Sequence, residues 1–281
     1  MKRLKFLPLI LSLCILFAGC DSFMGSQPVA DFGNTVTMLD VGQASATVIE
    51  SEGQICLIDA GKAGGGSDIV AYLYDRKVET IDLFVITHFH HDHTSQAMDV
   101  IRNFEIGAVL IPTLTGENIP DTYFYKSLVE DSANGYYDLV FAEKGQSFVI
   151  GSGNLTVVDN TYNSENVNNT STVTVFTQGD FTYVNMGDTE TDRDYYLLDL
   201  LPENIDFLTA GHHGSKDATS EALLGKLKPR FVGISCGKDN DYGHPHTKML
   251  KRLTDRNIPY EITAEKGNIV YHIDTNSVEF N

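Results

Sequence analysis

Nine histidines are present, and eight of them stand in three tight groups, at 88–93, 212–213 and 244–246, with only His272 apart. Histidines used for packing or surface polarity would be scattered. The first group reads Thr87-His88-Phe89-His90-His91-Asp92-His93. On a tight turn after a buried strand, the side chains at 88 and 90 point the same way, and Asp92 and His93 fall on the far side. This suits two adjacent metal ions, one on His88 and His90, the other on Asp92 and His93. Imidazole and carboxylate together favour zinc, with manganese or iron also compatible. A solvated histidine loop is the plain alternative, and it accounts for neither the acid at 92 nor the distant partners. Asp188 follows an apolar run at 181–186, where a carboxylate could bridge two cations or simply occupy a turn before a helix. His212 follows another apolar run in Gly211-His212-His213-Gly214-Ser215; helix-capping polarity explains Ser215 and leaves the two imidazoles unexplained. Bound zinc lowers the pKa of water from about 15.7 to about 7, and a second cation stabilises charge developing on a substrate oxygen. His244, next to Pro245, is the best remaining proton donor or phosphate contact, with an ordinary turn histidine as the alternative. Asp59, before Ala60-Gly61, is placed to orient a ligand imidazole from behind.

These residues need a scaffold that delivers them from strand ends. Three β-rich stretches at 35–41, 46–51 and 54–59, separated by glycine-containing turns, predict an antiparallel meander. A helix is expected over 67–76, with Ser67 as its cap. The continuous apolar run Ile-Asp-Leu-Phe-Val-Ile at 81–86 reads as a strand buried on both faces that leads into the histidine-rich turn. A helix at 95–103 and a strand at 108–111 follow. Residues 112–145 are less regular, with a helix near 123–131 and a tyrosine-rich, acidic composition suited to walling a substrate pocket. Strands are expected at 147–150, 154–158, 172–177, 181–186, 205–210, 231–235, near 260 and at 269–273, with helices at 192–201, 220–227 and 247–256. Mixed strands with intervening helices predict one layered α/β domain without a boundary that splits it.

The N-terminus is different in kind. Lys2, Arg3 and Lys5 precede an apolar run at 6–17 that closes in Ala18-Gly19-Cys20. The pattern is that of a secretory signal over 1–19, and the run is shorter than the roughly 20 residues of a membrane-spanning helix. Leu16-Phe17-Ala18-Gly19-Cys20 resembles a bacterial lipobox, which makes Cys20 the expected lipid-anchor site, with plain secretion as the alternative. Residues 20–33 read as a tether and 34–281 as the domain, exported to the cell surface or membrane. Losing 1–19 removes three cations and no acid, carrying the formal net charge from −18 to about −21. Such a surface repels polyanions, and no basic stripe marks a nucleic-acid interface, so nucleic acid is disfavoured as a partner. Cys56 and Cys236 sit in apolar runs; buried thiols are favoured over a disulfide, which export would permit.

The run of motifs resembles the metallo-β-lactamase superfamily, and within it the extracytoplasmic domain of ComEC-type competence proteins and their free-standing relatives. The resemblance is carried by His88-x-His90-x-Asp92-His93, Leu39-Asp40-Val41-Gly42-Gln43, Leu57-Ile58-Asp59-Ala60-Gly61, Asn169-Thr170-Ser171, Gly187-Asp188, His212-His213-Gly214-Ser215 and Tyr242-Gly243-His244-Pro245. It implies an αββα four-layer sandwich and two divalent metal ions, zinc or manganese, held by His88, His90, Asp92, His93, Asp188 and His212. His212 is preferred to His213 because it directly follows the strand, where the family's last histidine ligand sits. Asp92, His213 and His244 are then expected to act in the reaction, with Asp59 and Asn169 behind the ligands. The chain lacks the further histidine that many members place between the first cluster and the bridging Asp, and Asn169 falls in that region, which implies a weakly held first metal. His90 stands where many competence-type domains have Asp. The implied activity is hydrolysis of phosphodiesters, either nuclease-like or on a cell-wall head group, where aromatic and acidic walls hold a choline-like cation. A β-lactam or lactone hydrolase and a non-catalytic surface binding protein are the alternatives.

Overall fold

The computed structural model describes residues 33–64, 66, 68–159 and 164–281. The expected signal at 1–19, Cys20 and nearly all of the tether lie outside the described residues. The first half of the chain opens with an antiparallel meander, β1 (Thr35–Met38), β2 (Thr47–Ser51) and β3 (Gln54–Ile58). It continues in parallel through β4 (Thr80–Val85), β5 (Glu105–Ile111) and β6 (Asp138–Phe141). Parallel neighbours require crossovers, supplied by α1 (Ile69–Asp75), then α2 (His91–Thr94) with α3 (Ala97–Asn103), then α4 (Tyr123–Ala133).

The second half repeats the plan. Strands β7 (Ser147–Ile150), β8 (Gly153–Asp159), β9 (Val173–Gln178) and β10 (Phe181–Asn185) are antiparallel; β11 (Phe207–Thr209), β12 (Phe231–Ile234) and β13 (Tyr260–Ile262) run parallel. Their crossovers carry α5 (Thr191–Leu197), α6 (Glu221–Leu227) and α7 (Thr247–Asp255). After α8 (Thr263–Lys266), the hairpin β14 (Ile269–His272) and β15 (Ser277–Phe280) returns to the first sheet. The sheets are ordered β15-β14-β1-β2-β3-β4-β5-β6 and β13-β12-β11-β10-β9-β8-β7.

Strand alternation builds three apolar layers. In β3, Ile55 and Leu57 face the helices, whereas Cys56 and Ile58 face the other sheet. The central layer joins Val36, Val85 and Leu110 to Phe176, Tyr183 and Phe207. Outer layers bury Ile69, Leu73 and Val100 under one sheet and Leu197, Leu224 and Leu253 under the other. This is the αββα arrangement expected, with a central layer shared by both sheets. Cys56 and Cys236 are buried free thiols.

Several expectations are corrected. Helix α1 starts at Ile69, with the Asp68 carboxylate accepting from Val70 and Ala71 N–H at 2.9 and 3.2 Å; the expected cap Ser67 lies outside the described residues. Strand β1 stops at Met38, and α5 stops at Leu197. Strands β6 and β15 were not expected. Both are four-residue sheet edges in which no residue is fully buried.

Candidate metal centre

The chemistry gathers at the C-terminal ends of parallel strands, where open α/β sheets bind ligands. Past β4, Thr87 is pinned by Asp59 at the end of β3: its N–H donates to Oδ1 at 2.8 Å and its hydroxyl to Oδ2 at 2.8 Å. The chain then presents His88 and His90, turns into α2, and presents Asp92 and His93. Past β10, Gly187 holds a φ of +53°, and a Cβ there would lie 2.8 Å from Ser171 Cβ, so only glycine brings Asp188 this close. Past β11, His212 and His213 both adopt left-handed backbone, φ 46° and 53°, a conformation that costs about 1–2 kcal/mol per residue.

Two groups of donor atoms result, each within 4.8 Å of one another: Asp92, His93, Asp188 and His213, and His88, His90 and Asp188. Asp188 belongs to both. Its Oδ1 lies 3.2 Å from His93 Nε2, and its Oδ2 lies 3.5 Å from His213 Nε2 and 3.8 Å from His88 Nε2. His213 Nε2 is also 3.3 Å from Asp92 Oδ2. His88 Nε2 and His90 Nδ1 are 3.0 Å apart.

The other ring nitrogens define what these atoms are. His93 Nδ1 donates to Asp59 Oδ2 at 2.7 Å, and His213 Nδ1 donates to the Ser235 carbonyl at 2.9 Å. In the neutral ring each Nε2 is therefore a lone pair aimed at a carboxylate, buried and without a hydrogen-bond partner. A lone pair facing a carboxylate repels it unless a positive charge lies between. Burial opposes that charge on His93, yet Asp188 and Asp59 hold its imidazolium well above the usual range. His213 is buried too, but Asp188 and Asp92 push it up to about 9. Burial likewise opposes ionisation of Asp188, and His93 and His213 overcome it, keeping the carboxyl well below its ordinary range. Burial, reinforced by His93, keeps His88 neutral far below its usual value. Both clusters fit divalent cations, through imidazole nitrogen and carboxylate oxygen.

The structure thus places His88, His90, Asp92, His93 and Asp188 together, and it corrects the choice between the paired histidines. His213 (4% exposed) occupies the cluster, whereas His212 stands at the rim, with Nε2 3.9 Å from Asp188 Oδ2 and Nδ1 3.3 Å from Glu190 Oε1. The hydrogen bond from the His213 ring to the Ser235 carbonyl, just past β12, holds that ring inward. Asn169, expected behind the ligands, lies outside the cavity: its Oδ1 accepts the Glu190 N–H at 2.8 Å, and Asn168 lines the cavity.

A cavity of about 320 Å³ opens over the cluster, bounded by Gln43, Asn168, His212, Tyr242 and His244 as well as the ligand side chains. No residue from 112–145 lines it; Tyr123, Tyr136 and Tyr137 line a different groove, between α3 and α4. Gln43, which had no chemical role assigned from its motif, accepts the Gly237 N–H on Oε1 at 3.1 Å and so turns its amide toward His244 Nδ1, 3.2 Å away. That contact leaves the proton of His244 on Nε2. Burial, then the nearby His213, His212 and His246 rings, hold His244 down at about 4. Tyr242 stacks on it, with ring centroids 5.7 Å apart. The Leu39–Gln43 and Tyr242–Pro245 motifs marked both residues without revealing their contact.

The family profile of the Metallo-beta-lactamase superfamily matches residues 39–233. "ComE operon protein 3" of Bacillus subtilis is 23% identical over 256 residues, covering 84% of this chain and 32% of that protein. "Recombination protein 2" of Haemophilus influenzae is 30% identical over 243 residues, covering 83% of this chain and 28% of that one. The chain therefore spans about a third of these relatives, which are of the competence type that the motifs resemble. Igni18, described as a metallo hydrolase from Ignicoccus hospitalis, superposes with a TM-score of 0.59 at 14% identity, over 84% of this chain and 98% of its own. Profile, strand topology and ligand geometry agree: this chain belongs to the metallo-beta-lactamase superfamily.

Proposed function

We propose that this chain is an extracytoplasmic hydrolase of phosphodiesters that uses two divalent cations, zinc or manganese. The observation that carries this reading is Asp188, one carboxylate shared between two donor clusters. His88, His90 and Asp188 hold one cation; Asp92, His93, His213 and Asp188 hold the other. Bound there, such ions lower the pKa of water and neutralise charge growing on a phosphoryl oxygen. The protein's own residues do the rest. Asp59 and Ser235 fix the ring orientation of His93 and His213. His244, neutral and protonated on Nε2, donates a hydrogen bond to a non-bridging phosphoryl oxygen, which makes it a substrate contact rather than the proton donor. Tyr242, 68% exposed, offers an aromatic face at the rim.

The acidic surface, with a formal net charge of −18 for the whole chain, favours a diester with a cationic head group over nucleic acid. Hydrolysis of bis-p-nitrophenyl phosphate with added zinc or manganese tests the reaction. Turnover is expected to require metal and to fall at least about 100-fold in Asp188→Asn; undiminished turnover in that variant defeats the reading. p-Nitrophenyl phosphorylcholine and single-stranded DNA separate the two substrate classes. Turnover of nitrocefin instead marks a lactam hydrolase, and tight metal without any turnover marks a binding protein.

Export through residues 1–19 and anchoring through a lipid on Cys20 belong to the same proposal. Fractionation of cells carrying the wild type and Cys20→Ser is expected to move the protein from membrane to medium or periplasm. No helix among the described residues is long and apolar enough to cross a membrane.

A further inference from the structure

The two clusters are unequally furnished. Asp92, His93, His213 and Asp188 supply two nitrogens and two carboxylates; His88, His90 and Asp188 supply two nitrogens and the shared carboxylate alone. Zinc or manganese takes four donors or more, so the second cluster leaves at least one position to a further side chain or to solvent. Among the described residues no histidine lies between His93 and His212 to provide it.

Facing that cluster is the short 3-10 turn Val167–Thr170, tied down by Glu190. The Glu190 carboxylate accepts Asn168 Nδ2 at 3.0 Å and Asn166 Nδ2 at 2.9 Å, and its backbone N–H donates to Asn169 Oδ1 at 2.8 Å. With its amide nitrogen engaged, Asn168 must turn Oδ1 the other way. That oxygen is buried and accepts no hydrogen bond, in a residue only 9% exposed. A buried carbonyl without a donor costs about 1–3 kcal/mol. Asn168 borders the same cavity as His90 and Asp188. Ser171 locks the register: its hydroxyl donates to the Asn168 carbonyl at 2.7 Å, accepts the Asp188 N–H at 3.0 Å, and lies 3.4 Å from His88 Nδ1.

We propose that Asn168 Oδ1 is the missing donor to the cation on the His88–His90 side, and that Glu190 is the residue that positions it. The inference rests on the two-cation reading and adds a consequence to it. A neutral amide oxygen brings no charge, so this is the weaker of the two sites, and the carboxylate-rich cluster fills first.

Titration calorimetry of manganese into the metal-free protein, with bound metal counted by mass spectrometry, tests it. Two events are expected in the wild type, with His88→Ala removing the weaker one. Asn168→Ala and Glu190→Ala should each weaken that same event by about 10–100-fold and leave the tighter one within about twofold, with the circular-dichroism melt unchanged. Wild-type affinities in both variants overturn the proposal, as does an equal loss of both events, which a merely structural role for the turn would give. Binding of fewer than two metals per chain by the wild type is a separate result that removes the two-cation reading beneath it.

Discussion

His93 Nδ1 and Asp59 Oδ2 lie 2.7 Å apart, and both residues are wholly inaccessible to solvent. The same carboxylate accepts the N–H and hydroxyl of Thr87, so one acid sets the start of the histidine-rich turn and the tautomer of a ligand at its end. Asp59 has a φ of +61°, a region that asparagine tolerates nearly as well. Asp59→Asn should therefore keep the fold but lose the charge behind the imidazole. Metal affinity is expected to fall about 10–100-fold, read by competition with a chromogenic chelator. Unchanged affinity would leave Asp59 a purely architectural residue.

His244 is predicted to bear on the substrate and leave the cations alone. His244→Ala should lower kcat/KM on a phosphodiester by about 100-fold, the usual cost of one donor to a developing oxyanion, with metal content unchanged. Gln43→Ala should act in the same direction and less strongly, because it frees the ring without deleting it. Loss of metal in either variant would show that the ring supports the centre itself.

Much of this site could be read from residue order, because its chemistry is local. The alternation of His88 and His90, with Asp92 and His93 beyond, follows from a turn after a buried strand, and Gly187 beside Asp188 hints at a tight approach. What stayed hidden was decided across the fold. His212 and His213 are chemically identical neighbours, and only the Ser235 carbonyl, 22 residues away, selects which ring turns inward. Asn168 and Asn169 pose the same ambiguity, resolved by Glu190. A layered α/β domain was visible in the mixed strands and helices and in the continuous apolar run at 81–86, and the αββα order came only with the family resemblance, whereas no residue of the edge strands β6 and β15 is fully buried.

The buried ion pair between Arg193 and Asp159 should dominate local stability. Arg193 Nη2 lies 2.7 Å from Asp159 Oδ2, and neither side chain is exposed. The pair joins α5 to the end of β8, next to the segment that carries Asp188 and Glu190. Removing one partner strands a charge in a low dielectric, at about 3–5 kcal/mol. Arg193→Ala is expected to lose that much in urea unfolding. A loss below about 1 kcal/mol would mean that water reaches the remaining carboxylate.

Asp194 gives stability a pH dependence whose sign is set by burial. Burial is the largest influence on its carboxyl; the Ser220 N–H, donating to Oδ2 at 2.6 Å, and the Arg252 charge oppose it, and the group is still pushed up to about 7. The unfolded chain ionises this side chain near pH 4, so the folded state binds the extra proton between about pH 4 and 7. Its contribution is complete below pH 4 and is lost as pH rises through 7, on the order of a few kcal/mol for a shift of this size. Asp194→Asn keeps an oxygen to accept the Ser220 N–H and has nothing to titrate. Urea unfolding at pH 5 and pH 8 should show the wild type losing more stability across that interval than the variant, with the variant the more stable at pH 8. Because the metal-site histidines are common to both proteins, their titration cancels in the comparison, and parallel pH profiles would mean that Asp194 is ionised in the folded protein throughout.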